Sequence, residues 1–288
     1  MFSYRHAFHA GNHADVLKHV VLVALLAHFR RKDAPFLVVD THAGAGMYAL
    51  HEGWAAQRAE FRDGIERLWG RGDAPEAVAA WLAAVARHNA DGVLRHYPGS
   101  PILAFDALRD QDRLRLFELH PSEHRVLEGQ FARLARADAR RVRIERIDGF
   151  VGLKAVLPPA SRRALVLVDP PYEDKQDYHR VVAALREALR RFATGCYAIW
   201  YPQVARREAT TLARTLERWP GLHWLNATLS VGRPPPGGYG LHGSGVFVVN
   251  PPFGLEASLR TSLPYLAAAL AQDASAGWSL HGHEPSVK

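Results

Sequence analysis

Four apolar runs in this sequence stop on an acid: PFLVVD at Asp40, RLRLFE at Glu118, RVRIERID at Asp148 and ALVLVD at Asp169. Short apolar runs of this kind read as buried strands of a parallel sheet, and ligands of such sheets sit at the carboxyl ends of the strands. One acid there is ordinary. Four suit a ligand that is rich in hydrogen-bond donors or carries positive charge. S-adenosylmethionine has both, with a sulfonium, an ammonium, a ribose diol and an exocyclic amine.

The first run leads into THAGAG, and residues 44–49 (Gly44-Ala45-Gly46-Met47-Tyr48-Ala49) fit the dinucleotide fingerprint G-x-G-x-x-G/A. That fingerprint requires a helix to open at once and a strand-ending acid about 20 residues on. Here a stretch without strands follows, and the next strand-ending acid, Glu118, comes much later. Asp40 ahead of the loop would repel a pyrophosphate and suits a cationic cofactor. Asp40, Gly44 and Gly46 are therefore expected to bind S-adenosylmethionine rather than a dinucleotide.

The fourth run continues as Asp169-Pro170-Pro171-Tyr172. Methylating an exocyclic amine such as adenine N6 is hard because its lone pair is delocalised into the ring. A carboxylate and a backbone carbonyl that both accept from N6 favour a tetrahedral nitrogen and free that pair. Asp169 and the Pro170 carbonyl supply these acceptors, and the next proline stiffens the loop without adding a donor. Tyr172 then offers an aromatic face for a base swung out of its helix. An isolated strand ending in a Pro-Pro turn would look the same. A near-twin, VFVVNPPF at residues 246–253, ends the last predicted strand.

The elements that must position these groups follow from periodicity. Residues 12–31 read as a helix, with Val16, Val20, Val23 and Leu26 at helical spacing. From about Leu50 to Tyr97 the pattern is helical, with Trp54, Trp69 and Trp81, and is read as a small packed helical insertion at 51–97. Its place beside the glycine loop suggests a role in gripping the substrate that carries the base. Ser100 before Pro101 reads as a helix N-cap. Beyond it, strands alternate with helices near 123–137, 178–192 and 206–219, which predicts a doubly wound sheet. The last two strands are joined by GRPPPGGYGLHG without a helix, so the final strand is expected to be antiparallel. The expectation is an α/β, Rossmann-like fold: a single domain over residues 1–288 with a mainly parallel seven-stranded sheet, an antiparallel last strand and the inserted helices. Strand direction then places Asp169–Tyr172 at the ligand crevice and sends 250–253 to the opposite edge.

Lys and Arg outnumber Asp and Glu 36 to 29, a formal net charge of +7, which fits a nucleic-acid partner. One cysteine, Cys196, excludes an intramolecular disulfide and suits a reducing compartment. The N-terminal residues are polar where a signal peptide needs an apolar core, and no apolar run approaches membrane-spanning length. These features predict a cytoplasmic protein with no membrane partner. His6, His9, His13 and His19 match no metal-ligand spacing, so no metal is expected.

Taken together, the segments SYRHAFHAGNHADVLKH (3–19), DTHAGAG (40–46), YPGSP (97–101), ELHP (118–121), DGF (148–150), DPPYE (169–173) and FATGCYAIWYP (192–202) resemble the RlmJ family of bacterial large-subunit ribosomal RNA methyltransferases. That family is class I, S-adenosylmethionine-dependent and adenine-N6-specific. The resemblance fades after about Gly232. It implies a specific adenine of 23S ribosomal RNA as substrate, with cofactor contacts from His19, His42, Ser100, Glu118, Asp148, Gly149 and Asp169. Lys18, beside His19, is counted with this set, although a polar helix face would account for both. Asp169 is implied as the catalytic acceptor and Tyr4 as a contact to the substrate base. Glu118 is placed for the ribose hydroxyls and Asp148 for the adenine amine. A monomer is expected. Two other readings share these parts: a DNA adenine methyltransferase, disfavoured by the lack of a separate target-recognition domain, and a non-catalytic RNA-binding protein of the same fold.

Overall fold

The computed structural model describes residues 5–132, 134–235, 237 and 240–285. Tyr4, expected near the substrate base, lies outside them.

The first helix, α1 (His13–Arg30), is capped by Asn12, whose side-chain oxygen accepts from the amides of Ala14 and Asp15 at 3.0 Å each. It is buried nearly all round: Val16, Leu17, Val20, Leu25 and Leu26 pack in the core, and Lys18 and His19 are buried with them. Strand β1 (Leu37–Asp40) follows, then β2 (Met47–Ala49), α2 (Gly53–Arg58) and α3 (Glu76–Ala86). Next come β3 (His96–Pro98), α4 (Ser100–Ala107), β4 (Arg113–Phe117), α5 (Pro121–Phe131), α6 (Arg136–Ala139) and β5 (Val142–Glu145). The chain continues with α7 (Gly149–Val156), β6 (Ala164–Val168), α8 (Gln176–Arg191), β7 (Cys196–Gln203) and α9 (Arg207–Glu217). It closes with β8 (Trp224–Ser230), β9 (Gly243–Val249), α10 (Leu255–Leu270) and β10 (Gly277–His283).

The main sheet has the order β10-β8-β9-β7-β6-β1-β4-β5. Pairing is parallel from β7 through β6, β1 and β4 to β5. β9 runs antiparallel to both β7 and β8, as expected for a strand reached without a crossover helix. The expected count of seven strands is corrected to eight, because β10 adds an antiparallel edge beyond β8. Its sequence, GWSLHGH, alternates only Trp278 and Leu280 with polar residues and leaves Trp278 41% exposed, so it carries little strand signal.

Helices cover both faces of the sheet. One apolar cluster joins the sheet to α1, α4 and α10, and a second joins it to α7, α8 and α9. The glycine loop opens no helix but runs into β2, which pairs antiparallel with β3. A short ribbon thus closes the base of the insertion, where no strand was expected. The insertion does not pack on itself alone: Phe61, Ile65, Leu68, Val78 and Trp81 share one cluster with Val16 and Leu17 of α1. No helix among the described residues is long and apolar enough to cross a membrane.

Gly64 fixes the insertion against the segment ahead of α1. The Ile65 amide donates to the Gly11 carbonyl at 2.9 Å, and a Cβ at Gly64 would lie 2.0 Å from that same oxygen. Gly64→Ala is expected to cost about 2–4 kcal/mol, since backbone rather than a flexible side chain must move. Urea denaturation measures this, and a variant as stable as wild type contradicts the contact.

Candidate active site

Parallel pairing of β1 with β6 brings their acidic ends side by side, with the Thr41 amide donating to the Leu167 carbonyl at 3.1 Å. Asp169, just past β6, meets Lys18 from α1: Nζ lies 2.7 Å from Asp169 Oδ2 and 2.8 Å from Asp15 Oδ1. The Lys18 side chain is 4% exposed. Burial alone would lower its pKa, but the two carboxylates outweigh that and raise it, so it is an ammonium at any physiological pH. Asp15 also accepts from the Gly11 amide at 2.9 Å and meets His6 Nε2 at 3.0 Å. Burial pushes the Asp169 carboxyl up against the pull of Lys18.

Above this pair opens a cavity of about 350 Å³. Its wall brings together Lys18, His19, His42, Gly44, Ser100, Glu118, Asp148, Gly149 and Asp169 of the sequence-derived set. Glu118 accepts from the amides of Gly44 (2.8 Å) and His120 (2.7 Å), which orients its carboxylate at the end of β4. Asp148 caps α7 by accepting from Phe150 N at 2.9 Å, and its other oxygen pairs with Arg180. Burial lowers the His42 pKa to about 3, so its ring is neutral, and Nδ1 shares a 2.8 Å hydrogen bond with Thr41 Oγ1. His19 is likewise neutral, its pKa lowered to about 3 by burial. Its Nδ1 shares a 2.7 Å hydrogen bond with the Tyr97 hydroxyl, while its buried Nε2 has no partner among the described residues.

Gly44 has φ +64°, and a Cβ there would lie 2.5 Å from the Tyr48 hydroxyl, so glycine is required for the loop itself. At Gly149 a Cβ would lie 1.8 Å from the Thr41 carbonyl, which explains glycine there by close approach of α7 to β1.

Some expected residues stand elsewhere. Asp40 does not line the cavity but lies beneath it, accepting from Ser100 Oγ at 2.6 Å and from the His42 amide at 3.2 Å. Gly46 is also off the wall; its carbonyl accepts from Gly99 N at 2.7 Å and so sets the start of α4. Ser100, expected as the N-cap, is the first residue of α4: Gly99 holds the cap position and the serine hydroxyl is committed to Asp40. Pro170 is buried and lines neither cavity.

A second cavity of about 250 Å³ adjoins the first and shares His6, Lys18, Asp169, Pro171 and Glu173 with it. Tyr172 and Trp200 line it. The expectation that Tyr172 presents an open ring is corrected. The ring is 3% exposed, 4.6 Å from that of Tyr178, and its hydroxyl donates to the Trp200 carbonyl at 2.7 Å. It is a wall of the cavity. Its backbone lies in the left-handed region, at φ +53°. The twin loop behaves differently: Asn250 Nδ2 donates to the carbonyls of Ala193 and Gly195, and Phe253 is 93% exposed. β9 runs against its neighbours, so this loop leaves the opposite end of the sheet.

Sequence reasoning missed His6, Asp15, Glu123, Asp177 and Arg180. Asp15 had a signal, because it precedes Lys18 by three residues on a predicted helix and so faces the same side. Asp177 and Arg180 carried the same signal, as an i,i+3 pair at the start of a predicted helix, but nothing local showed that they line the cavity.

The family described as RsmJ, ribosomal RNA large subunit methyltransferase D, RlmJ, matches residues 33–282. The ribosomal RNA large subunit methyltransferase J of Escherichia coli (strain K12) is 46% identical over 270 residues, 94% of this chain and 94% of that protein. The protein of that name from Haemophilus influenzae is 43% identical over 286 residues, 99% of this chain and 100% of that one. A crystal structure of a Legionella pneumophila protein is similar at a TM-score of 0.85 and 32% identity, covering 95% of this chain and 98% of that one.

Burial raises the Asp40 pKa to about 6, against the Ser100 hydrogen bond and with help from the Asp169 charge. Between the unfolded value near 3.8 and about 6, the folded state holds the extra proton, so stability falls as pH rises through that window. Asp40→Asn removes this penalty. Denaturation midpoints at pH 4.5 and 7.5 should shift the stability difference by about 2 kcal/mol in favour of the variant at the higher pH. A difference that does not change with pH contradicts the assignment.

Proposed function

This chain belongs to the RlmJ family of ribosomal RNA large subunit methyltransferases, and we propose that the methyl group it moves from S-adenosylmethionine to 23S ribosomal RNA is placed on the N6 amine of an unstacked adenine. The observation that carries this reading is the Asp169 carboxylate, held by Lys18 at the junction of two cavities. A donor in one and an acceptor base in the other would meet there.

The residues of the larger cavity fit S-adenosylmethionine. Glu118 suits the ribose diol, Asp148 the adenine amine, and the start of α4 at Ser100 the carboxylate. The unpartnered Nε2 of His19 supports a polar ligand there, because a buried ring nitrogen left unsatisfied costs free energy. The His42 ring, Gly44 and Gly149 complete the wall. When bound, S-adenosylmethionine supplies an activated methyl on a sulfonium centre. Everything else falls to the chain.

In this reading Asp169 accepts one N6 hydrogen and the Pro170 carbonyl the other, the base having to reach past the loop to a residue that lines neither cavity. Both acceptors localise the lone pair that attacks. Methyl transfer puts positive charge on N6 until it sheds one proton to solvent, and a carboxylate aimed at that charge stabilises the transition state more than the ground state. Burial raises the Asp169 pKa, and the Lys18 ammonium opposes that shift by favouring the carboxylate. Tyr172 and Trp200 provide aromatic walls for the base, and the resemblance implies that Tyr4, outside the described residues, contacts it as well. The reading takes the protein as a cytoplasmic monomer that uses no metal.

Asp169→Asn keeps shape and removes charge. Single-turnover transfer to 23S ribosomal RNA at saturating S-adenosylmethionine should fall about 10²–10³-fold. Digested product from the wild type should contain N6-methyladenosine. Undiminished transfer by the variant, or label at another atom, contradicts the reading.

A further inference from the structure

Outside both cavities, beside the turn that carries His6 and His9, four side chains interleave on the surface. Arg5 lies over the Trp54 ring at 5.2 Å, the Trp54 and Phe8 rings meet edge to face at 5.0 Å, and Arg58 lies over Phe8 at 5.3 Å. Trp54 comes from α2 of the insertion, and Phe8 from the turn His6–Phe8 that packs against it.

This ladder is not needed to close the core. Trp54 remains 45% exposed and neither Trp54 nor Phe8 belongs to the main apolar clusters. Among the described residues, the arginines are not consumed by ion pairs either. Arg5 reaches Glu123 at 3.7 Å and Arg58 reaches Glu60 at 3.8 Å, both longer than a charge-assisted hydrogen bond. The support, by contrast, is firm. Glu60 meets His9 Nδ1 at 2.9 Å and accepts from Asn12 Nδ2 at 3.0 Å, clamping the turn to the insertion.

Location supplies the occupant. His6 and His9, on either side of Phe8 in the chain, line the second cavity, where the target base is assigned. A base that enters that cavity leaves its neighbours in the strand close to the rim. Exposed aromatic faces flanked by guanidinium groups bind unpaired nucleotides: the ring stacks on the base and the cations meet phosphate. We infer that Arg5, Trp54, Phe8 and Arg58 form a stacking site for an unpaired nucleotide of the RNA next to the target adenine. The inference rests on the RNA reading above and names the surface that holds the strand while one base is drawn inward.

The test uses full-length protein, 23S ribosomal RNA and S-adenosylmethionine. Trp54→Ala should raise KM for RNA about tenfold while kcat at saturating RNA stays within about twofold. Trp54→Phe should recover most of the loss. Arg58→Ala should weaken RNA binding and lower the slope of log Kd against log salt by about one. Calorimetric affinity for S-adenosylmethionine should be unchanged in all three, which a merely structural role of the ladder would not leave intact. An unchanged KM for RNA in Trp54→Ala overturns the inference and leaves the reaction assigned above standing, and so does a loss of S-adenosylmethionine affinity. A wild-type protein that methylates no large-subunit RNA overturns both.

Discussion

One buried ammonium, Lys18 Nζ, holds a helix, a strand end and a loop in a single arrangement, because it sits between Asp15 and Asp169 with almost no access to water. Taking such ions from water costs several kcal/mol each, and removing one partner of a buried pair costs about 3–5 kcal/mol. The arrangement therefore persists only if each charge is matched. Asp15 is matched further by the Gly11 amide and His6, which draws the turn ahead of α1 into the same network. From there Glu60 ties that turn to the insertion. α1 itself is buried on nearly every side because Val16, Leu17, Val20, Val21, Leu22, Leu25 and Leu26 pack in the core around it.

The main sheet explains why this pair faces two cavities. β1, β4, β5 and β6 run parallel, so their C-terminal ends and the acids beyond them converge on one rim. Asp40 is drawn under that rim rather than onto it, where it holds Ser100 and the His42 amide. β9 runs the other way and carries the NPPF loop to the far end of the sheet. Two similar four-residue motifs thus acquire different surroundings from strand direction alone.

Much of this was legible in residue order. Continuous apolar runs marked β1 and β6, and the acids ending them marked the rim. The missing crossover helix before β9 gave its direction. What escaped depends on contacts distant along the chain. The environment of Lys18 reads as a polar helix face until Asp169, 151 residues away, is seen beside it. Tyr172 reads as an exposed aromatic until its ring is seen against Tyr178 and Trp200. β10 escaped because an edge strand with one exposed face needs few apolar residues. The insertion looked self-contained because its helical spacing is regular, yet its apolar residues complete the core around α1.

The central claim is that the target amine meets Asp169 where the two cavities join. A crystal structure with S-adenosylhomocysteine and a methylatable fragment of 23S ribosomal RNA tests it most directly. The account expects an extruded adenine in the second cavity, with N6 about 3 Å from an Asp169 carboxylate oxygen and facing the sulphur. An adenine bound with N6 directed away from Asp169, or a target base held outside that cavity, would contradict it.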